Sequence, residues 1–216
     1  LIMLLMKENQ DVQIQMQKNF LELIPQLQGV NNSHNTTTTN THNTQNFNIQ
    51  MHSLKEVLSI AETHDKRVVV YLSMAFGNPY GEPWELDLVS KHVDFLVKMG
   101  VKVISLSDTI GIATNDKVGE IFKVLTNQYT SVEFGAHLHI LPTDGYDKIN
   151  EAYKNGCRRF DGVIMGYGGC PMASNKLMGN LPTEKILNFI ESKNINSTIN
   201  PLNFESAYNF SKKVFN

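Results

Sequence analysis

The chain has 216 residues, of which 41% are hydrophobic and 19% are charged, and its formal net charge is −2. This composition is ordinary for a globular protein with one sizeable core, and the near-neutral charge gives no electrostatic support for nucleic-acid binding. The two cysteines, Cys157 and Cys170, are too few for a disulfide scaffold, so a reducing compartment is expected.

The first fifty residues differ in texture from the rest. Residues 1–6 are apolar, but they fall far short of the ~20 residues that a membrane span needs, and they lack the features of a signal peptide. Residues 10–17 alternate apolar and polar side chains, which predicts an exposed strand. Residues 31–46 form an Asn/Thr-rich tract that is predicted to be disordered, because it has too little apolar surface to fold. We therefore expect an atypical leader over 1–50, followed by one main domain over 51–216.

Strands and helices alternate through the main domain. Apolar, β-branched runs predict buried strands, and apolar residues at helical spacing follow each of them, with Thr114 and Thr183 as expected helix caps. The predicted strands are 68–72, 101–106, 133–139 and 160–165. Each strand-helix unit takes about 30 residues, as in a (β/α)₈ TIM barrel. Four units predict a partial TIM barrel of the α/β class, and a doubly wound open sheet is the alternative.

His137-Leu138-His139 ends the third predicted strand. Side chains two residues apart share one face of a strand and lie about 7 Å apart along it. Two imidazoles in that position can converge on one cation, with further ligands from other strand ends. They can equally be two hydrogen-bonded polar residues, and the pattern alone leaves both interpretations open.

Two further polar residues are candidates for the same rim. Asp108, at the end of the preceding strand, is expected either to contact an imidazole N–H, a metal or a substrate, or to cap the turn that follows. Asn180 offers an amide oxygen to a hard cation, or forms an Asx turn before the last helix.

A glycine-rich loop, Gly-Tyr-Gly-Gly-Cys-Pro at 166–171, follows the fourth predicted strand. Its three glycines permit a close backbone approach to a ligand. Cys170 lies beyond the carboxyl end of the strand, where catalytic groups gather in α/β folds. It is a candidate nucleophile or acid–base group if a positive neighbour activates it. The alternative is a tight turn with a bystander thiol.

Taken together, the motifs resemble those of the hydroxymethylglutaryl-CoA lyases, a family of TIM-barrel metallolyases. The resemblance covers roughly residues 51–192. Its elements are Phe-Gly-Asn-Pro-Tyr-Gly at 76–81, Ser-Leu-Ser-Asp-Thr-Ile-Gly at 105–111, His-Leu-His at 137–139, Gly-Gly-Cys-Pro at 168–171 and Gly-Asn at 179–180. It implies cleavage of 3-hydroxy-3-methylglutaryl-CoA to acetyl-CoA and acetoacetate with Mg²⁺ or Mn²⁺.

The same resemblance assigns roles to individual residues. It implies that His137, His139 and Asn180 are metal ligands, that Asp108 lies beside the site, and that Cys170 is the catalytic cysteine of the loop. It also implies an acyl-CoA small-molecule substrate, no nucleic-acid or membrane partner, and a homodimer where the barrel is complete. A mitochondrial or cytoplasmic location is expected on the same basis.

One departure from the family pattern weakens the expectation of activity. The family's first strand ends in an Arg-Asp pair, in which Asp binds the metal and Arg neutralises the enolate oxygen. No arginine precedes Arg67 in this chain, and residues 1–50 are too few to hold four βα units. The chain thus resembles the carboxyl-terminal half of the lyase, and we expect it to be inactive alone. The alternatives are an inactive remnant or assembly module, and a related aldolase or Claisen-type enzyme, which the Gly-Gly-Cys-Pro loop disfavours.

Overall fold

A computed structural model describes residues 11–16, 52–169 and 178–215. Within them, five parallel strands follow one another in chain order across a curled, half-barrel sheet. These strands are β1 (Asp11–Met16), β2 (Arg67–Leu72), β3 (Val103–Asp108), β4 (Glu133–Ile140) and β5 (Arg159–Phe160). A two-residue strand, β6 (Gly179–Asn180), pairs antiparallel with the end of β4.

Helices follow the strands along the chain and cover one face of the sheet, except for the last helix, which contacts the chain at Met165 and Tyr167. They are α1 (52–63), α2 (Leu86–Lys98), α3 (Asn115–Gln128), α4 (Tyr146–Lys154), α5 (Thr183–Ser192) and α6 (Pro201–Phe215). The prediction of about four βα units in a partial TIM barrel is confirmed. The sequential strand order has no switch point, which excludes the doubly wound alternative for the described sheet.

The main core lies between the sheet and its helices. Every second strand residue faces the helices, as a period of two requires. The strand contribution to this core is apolar throughout and comprises Val68, Val70, Leu72, Ile104, Leu106, Phe134, Ala136, Leu138 and Ile140. Buried residues of α2, α3 and α4 pack on these side chains, among them Val93, Leu96, Ile121, Leu125 and Ile149. Each such aliphatic side chain contributes about 1.5–3 kcal/mol through removal of its surface from water.

The opposite face of the sheet carries polar side chains. The strand register places Tyr71 beside Ser105, Ser105 beside Gly135, and Ser107 beside His137. Val69, Tyr71 and Val103 form a small apolar cluster on this face. In a closed barrel this face is the interior, and its carboxyl end is where sites are built.

The prediction of a strand over 160–165 is wrong. Strand β5 ends at Phe160, and a 3₁₀ turn occupies Ile164–Gly166, with Met165 in a left-handed conformation at φ 58°. Val163 leaves the β4 ladder and instead exchanges hydrogen bonds with the chain at Leu181 and Thr183. The strand is therefore cut short because the chain turns toward the start of α5.

The cap predictions had different outcomes. Thr114 accepts a hydrogen bond from the backbone amide of Lys117, as predicted for a helix cap. Thr183 was predicted as a cap, but Pro182 holds that position and Thr183 is the first residue of α5. Pro182 has an extended backbone, as an N-cap residue requires, and no side-chain hydrogen bond caps this helix.

The leader is described only in part. The predicted strand near its start is confirmed as β1, which pairs in register with β2 from Asp11 opposite Arg67 to Met16 opposite Leu72. The tract predicted to be disordered, 31–46, lies outside the described residues, and the domain boundary at residue 50 stays a prediction. In the part of the chain that is described, no helix combines the length and apolar character needed to cross a membrane.

Candidate metal and catalytic site

His139 lies near the end of β4 and is buried, with a 7% exposed fraction. Its Nδ1 atom is 3.0 Å from the backbone carbonyl oxygens of both Asp108 and Thr109. Two acceptors at Nδ1 require the proton there, so Nε2 carries a lone pair in the neutral ring. Burial, and then the nearby His137, lower the pKa of His139 below its usual range. The neutral imidazole, the form that binds metals, is therefore favoured.

His137 lies two residues earlier on the same face of β4. The centroids of the two imidazole rings are 5.2 Å apart, with an interplanar angle of 83°. The Tyr71 ring packs edge-on against His137 at 5.5 Å. On the other side, His137 Nδ1 lies 3.3 Å from a carboxylate oxygen of Asp161.

Asn180 joins the two histidines through backbone pairing. Its position in β6 is directly opposite His139 in the β4–β6 register. Its side-chain amide nitrogen donates a hydrogen bond of 2.8 Å to the carbonyl oxygen of Tyr167. The amide is thereby oriented, and its oxygen is the atom suited to a hard cation. The structure thus brings the three residues predicted as metal ligands to one end of the sheet.

Glycines allow the approach of the two segments that carry this arrangement. A Cβ atom on Gly179 would lie 2.8 Å from the carbonyl oxygen of Gly166, and one on Gly166 would lie 2.7 Å from that of Asn180. Gly166 also has a positive φ of 66°. Any other residue at either position would push Asn180 away from β4.

Asp108 lies on the other side of the sheet from the histidine pair. Its register partner is Leu138, which faces the helices. Its carboxylate accepts hydrogen bonds from the backbone amides of Ile112 and Ala113 and is 3.6 Å from Nζ of the buried Lys148. Burial raises the pKa of Asp108, and the Lys148 charge opposes that shift. The carboxylate therefore caps the loop after β3, while the backbone carbonyl of Asp108 contacts His139; a direct catalytic role for Asp108 stays a prediction.

Cys170 lies outside the described residues. The residues on either side of that gap are described, and they are close together: a Cβ on Gly169 would be 2.9 Å from the carbonyl oxygen of Met178. The two described residues that flank the gap, Gly169 and Met178, are therefore in close contact. The catalytic role of Cys170 stays a prediction. The other cysteine, Cys157, is fully buried and donates its S–H to the carbonyl oxygen of Arg159 at 3.1 Å.

The family model described as HMGL-like matches residues 26–210, which is most of the chain. The chain belongs to the HMGL-like family.

Two relatives of this chain are named as lyases. The chain is 30% identical over 163 residues to hydroxymethylglutaryl-CoA lyase of Bacillus subtilis, a match covering 74% of this chain and 54% of that protein. It is 31% identical over 121 residues to (R)-citramalyl-CoA lyase of Chloroflexus aurantiacus, covering 55% of this chain and 37% of that protein. This chain therefore spans about half the length, or less, of these relatives.

The solved structures agree on the fold. The crystal structure of the Bacillus subtilis HMG-CoA lyase superposes with a TM-score of 0.70 at 29% identity, over 80% of this chain and 59% of that one. The Pseudomonas aeruginosa enzyme gives a TM-score of 0.61 at 26% identity, over 69% of this chain and 50% of that one.

The donor set fits a divalent cation in part. Two imidazoles and an amide oxygen are suitable ligands, and each side chain has a contact at its other polar atom. Within the described ranges, no group of three or more His, Cys, Asp or Glu residues is placed to hold one ion. Because hard cations favour carboxylates, the two imidazoles and the amide oxygen among the described residues form only part of a ligand set for such an ion.

Sequence reasoning missed Tyr71 and Asp161 as members of this site. Burial, followed by the negative charge of Asp161, raises the pKa of the Tyr71 hydroxyl. The signal for Asp161 was its own polarity: a carboxylate and a glycine interrupt the run 160–165 that was interpreted as a buried apolar strand. Lys148 was also missed, because its partner Asp108 lies forty positions earlier in the chain.

Proposed function

We propose that this chain is the metal-binding half of a carbon–carbon lyase that cleaves 3-hydroxy-3-methylglutaryl-CoA to acetyl-CoA and acetoacetate. The observation that supports this most is the meeting of His137, His139 and Asn180 at the carboxyl end of β4. The names of the relatives, which match over about half their length, support the substrate class.

The reaction needs a base, an electron sink and a proton donor. The tertiary hydroxyl loses its proton, the adjacent C–C bond breaks, and its electron pair forms a thioester enolate whose carbon is then protonated. A bound Mg²⁺ or Mn²⁺ would lower the pKa of the substrate hydroxyl and orient the substrate. His137, His139 and Asn180 would hold that ion. Cys170 is the proposed donor of the proton to the enolate carbon.

The chain supplies only part of this machinery. It has no Arg-Asp pair before residue 67, and its ligands within the described ranges include no carboxylate placed with both histidines. We propose that a second half-barrel provides a carboxylate ligand for the cation and a positive group for the enolate oxygen. We propose that this assembly takes an acyl-CoA substrate and is a homodimer, as the resemblance to the family implies. Relatives named as cytoplasmic in Danio rerio and mitochondrial in Homo sapiens make either compartment a proposal for this chain.

The experiment is a complementation assay for acetoacetate. The purified chain is assayed alone and together with the amino-terminal half of the Bacillus subtilis lyase, in the presence of Mn²⁺. We expect no turnover by the chain alone and measurable turnover by the mixture. Turnover by the chain alone would contradict the incomplete site, and a co-eluting complex without turnover would contradict the lyase proposal. (R)-Citramalyl-CoA is assayed in parallel, because one relative is named for it.

The two cysteines give a matched pair of variants for that assay. Cys170→Ala is expected to abolish turnover of the mixture and leave Mn²⁺ binding intact, because the thiol is the proposed proton donor. Cys157→Ala removes a thiol that is packed in the core, so it is expected to keep turnover. Equal activity of the two variants would show that Cys170 is structural.

A second candidate function is an inactive assembly module. It is favoured by exposed apolar side chains on α6, where Leu202 is 72% and Phe210 65% exposed. An exposed apolar helix face is typical of a surface that another chain covers. A stable dimer by light scattering, without turnover in any complemented mixture, would favour this candidate over the lyase.

A further inference from the structure

We propose that Asp161 is a positioning residue that holds His137 with its proton on Nδ1, so that Nε2 is free to bind the cation. The inference rests on the proposed metal site, and it adds a residue that is neither a ligand nor a reacting group. Carboxylates that accept the second N–H of a metal-binding histidine fix both the tautomer and the orientation of the ring.

The backbone brings Asp161 to His137. Asp161 directly follows β5, and its backbone amide donates a hydrogen bond of 3.0 Å to the carbonyl oxygen of Ala136. This bond continues the β4–β5 pairing, whose last pair is Ala136 opposite Phe160, by one residue. Asp161 and His137 therefore occupy neighbouring positions on the interior face, although they are 24 residues apart in the chain.

The side chains meet away from bulk water. Oδ2 of Asp161 is 3.3 Å from Nδ1 of His137, and the side chains are only 14% and 22% exposed. The two atoms are within hydrogen-bonding distance, but the ring N–H is not aligned with the oxygen, and Nδ1 has no other hydrogen-bond acceptor among the described residues. A small rotation of the ring aligns the pair, as catalytic hydrogen bonds often tighten only when the site is loaded.

The remaining contacts of the carboxylate hold it in place. Ser105 Oγ donates to the same Oδ2 atom at 3.3 Å, and Arg159 Nε lies 4.0 Å from Oδ1. Burial raises the pKa of the Tyr71 hydroxyl, and the negative charge of Asp161 raises it further. A largely buried carboxylate is costly unless polar partners surround it, so these contacts hold the Asp161 side chain in one orientation.

The comparison with His139 shows why this role differs from that of a ligand. His139 has its Nδ1 proton fixed by two backbone carbonyls, which no side-chain substitution removes. His137 has a carboxylate in the equivalent place. Asp161 and the two histidines are not arranged to hold one ion, since the described residues contain no such group of three. The carboxylate therefore acts through His137 and not on the cation.

The tautomer of His137 can be measured without any metal. Long-range ¹H–¹⁵N correlation spectra of the metal-free chain report which ring nitrogen carries the proton, and His137→Gln assigns the signal. We expect the Nδ1–H form in the unmodified chain. Asp161→Asn keeps an acceptor oxygen and is expected to preserve that form, whereas Asp161→Ala is expected to shift His137 toward the Nε2–H form. Ser107→Ala, at the register position beside His137, is the control that leaves the tautomer unchanged.

The affinity for Mn²⁺ gives a second, independent measurement. Asp161→Ala is expected to weaken Mn²⁺ binding by about 10–100-fold, the usual range for such a partner of a ligand, and Ser107→Ala is expected to leave it unchanged. An unaltered tautomer in Asp161→Ala would overturn the inference. A loss of Mn²⁺ binding in Asp161→Asn equal to that in His137→Ala would make Asp161 a ligand and also overturn it. If the unmodified chain binds no Mn²⁺, the metal proposal fails, while the tautomer spectra still decide the role of Asp161.

Discussion

The two faces of the β2–β4 sheet differ in what their residues do. On the helix-facing side, Leu106 is fully buried among aliphatic side chains. On the interior side, its neighbour Ser105 is equally buried but donates to the Asp161 carboxylate. Burial is similar on the two faces, and only the chemistry of the alternating residues differs. The helix-facing side therefore stabilises the fold, and the interior side orients polar groups at the carboxyl rim.

Two carboxylates near the rim lie on different faces of the sheet. Asp108 shares the helix-facing side with Leu138 and pairs with Lys148. Asp161 lies on the interior side and contacts His137. Asp108 was a candidate for chemistry by its position at a strand end, whereas Asp161 was missed, and the register places the two on opposite faces of the sheet. The predictions that follow test whether substitutions on the helix side change stability and those on the interior side change the site.

Asp108→Ala is expected to have the largest effect on stability. It leaves the buried Lys148 ammonium and the amides of Ile112 and Ala113 without their acceptor, and loss of one member of a buried ion pair costs about 3–5 kcal/mol. Urea denaturation gives the change in the free energy of unfolding. The control is Asp116→Ala, an exposed acid in the first turn of α3, for which a loss of about 0.3–1 kcal/mol is expected. Recovery in the double variant Asp108→Ala, Lys148→Met would confirm the pairing; a loss no larger than the control would contradict it.

Leu106→Ala and Ser105→Ala compare the two faces at adjacent positions. Leu106→Ala creates a cavity in the helix-side core and is expected to cost about 2–5 kcal/mol. Ser105→Ala removes one hydrogen bond to Asp161 and is expected to cost about 0.5–1.5 kcal/mol. Thermal denaturation of both variants measures the difference. Equal losses would show that the two faces contribute alike to stability.

Gly179→Ala is expected to disturb the site with a moderate loss of stability. The added Cβ would lie 2.8 Å from the carbonyl oxygen of Gly166, a backbone atom that moves only with its segment. Overpacking of this kind costs about 1–3 kcal/mol, and the shift of Asn180 should weaken Mn²⁺ binding. Gly100→Ala is the control for a loss of stability without a steric clash, because a Cβ there meets open space and only the φ of 94° strains an alanine. Retention of full Mn²⁺ affinity in Gly179→Ala would remove Asn180 from the ligand set.

The smallest expected effect is a change in pH dependence at His139. Because its pKa in the folded chain is lowered below 6.5, the unfolded chain binds the proton more readily, so stability falls as pH decreases through 6.5 toward the native pKa. In the metal-free protein, His139→Gln should remove this contribution, which is at most about 1.4 kcal/mol per pH unit. Denaturation series from acidic to neutral pH measure the slope. An identical slope in both proteins would contradict the buried, neutral state of His139.

The amount that could be predicted from sequence also differs between the two faces. Local spacing was enough for the four βα units, and the His137/His139 pair followed from the period of two along a strand. The end of β5 could not be predicted, because it depends on Val163 bonding to Leu181 and Thr183, which are distant in sequence. The partners of the two carboxylates could not be predicted for the same reason. Lys148 contacts Asp108, and His137 contacts Asp161, only through tertiary packing.

The central claim is that His137 and His139 form a cation site in this chain. Its most direct test is a Mn²⁺ titration followed by electron paramagnetic resonance, with the unmodified chain, the double variant His137→Ala, His139→Ala, and the control His64→Ala, an exposed histidine after α1. We expect the unmodified chain and the His64→Ala control to bind Mn²⁺ at this site, and the double variant to lose that binding. The same affinity and stoichiometry in all three proteins, or no binding by the unmodified chain, would contradict it.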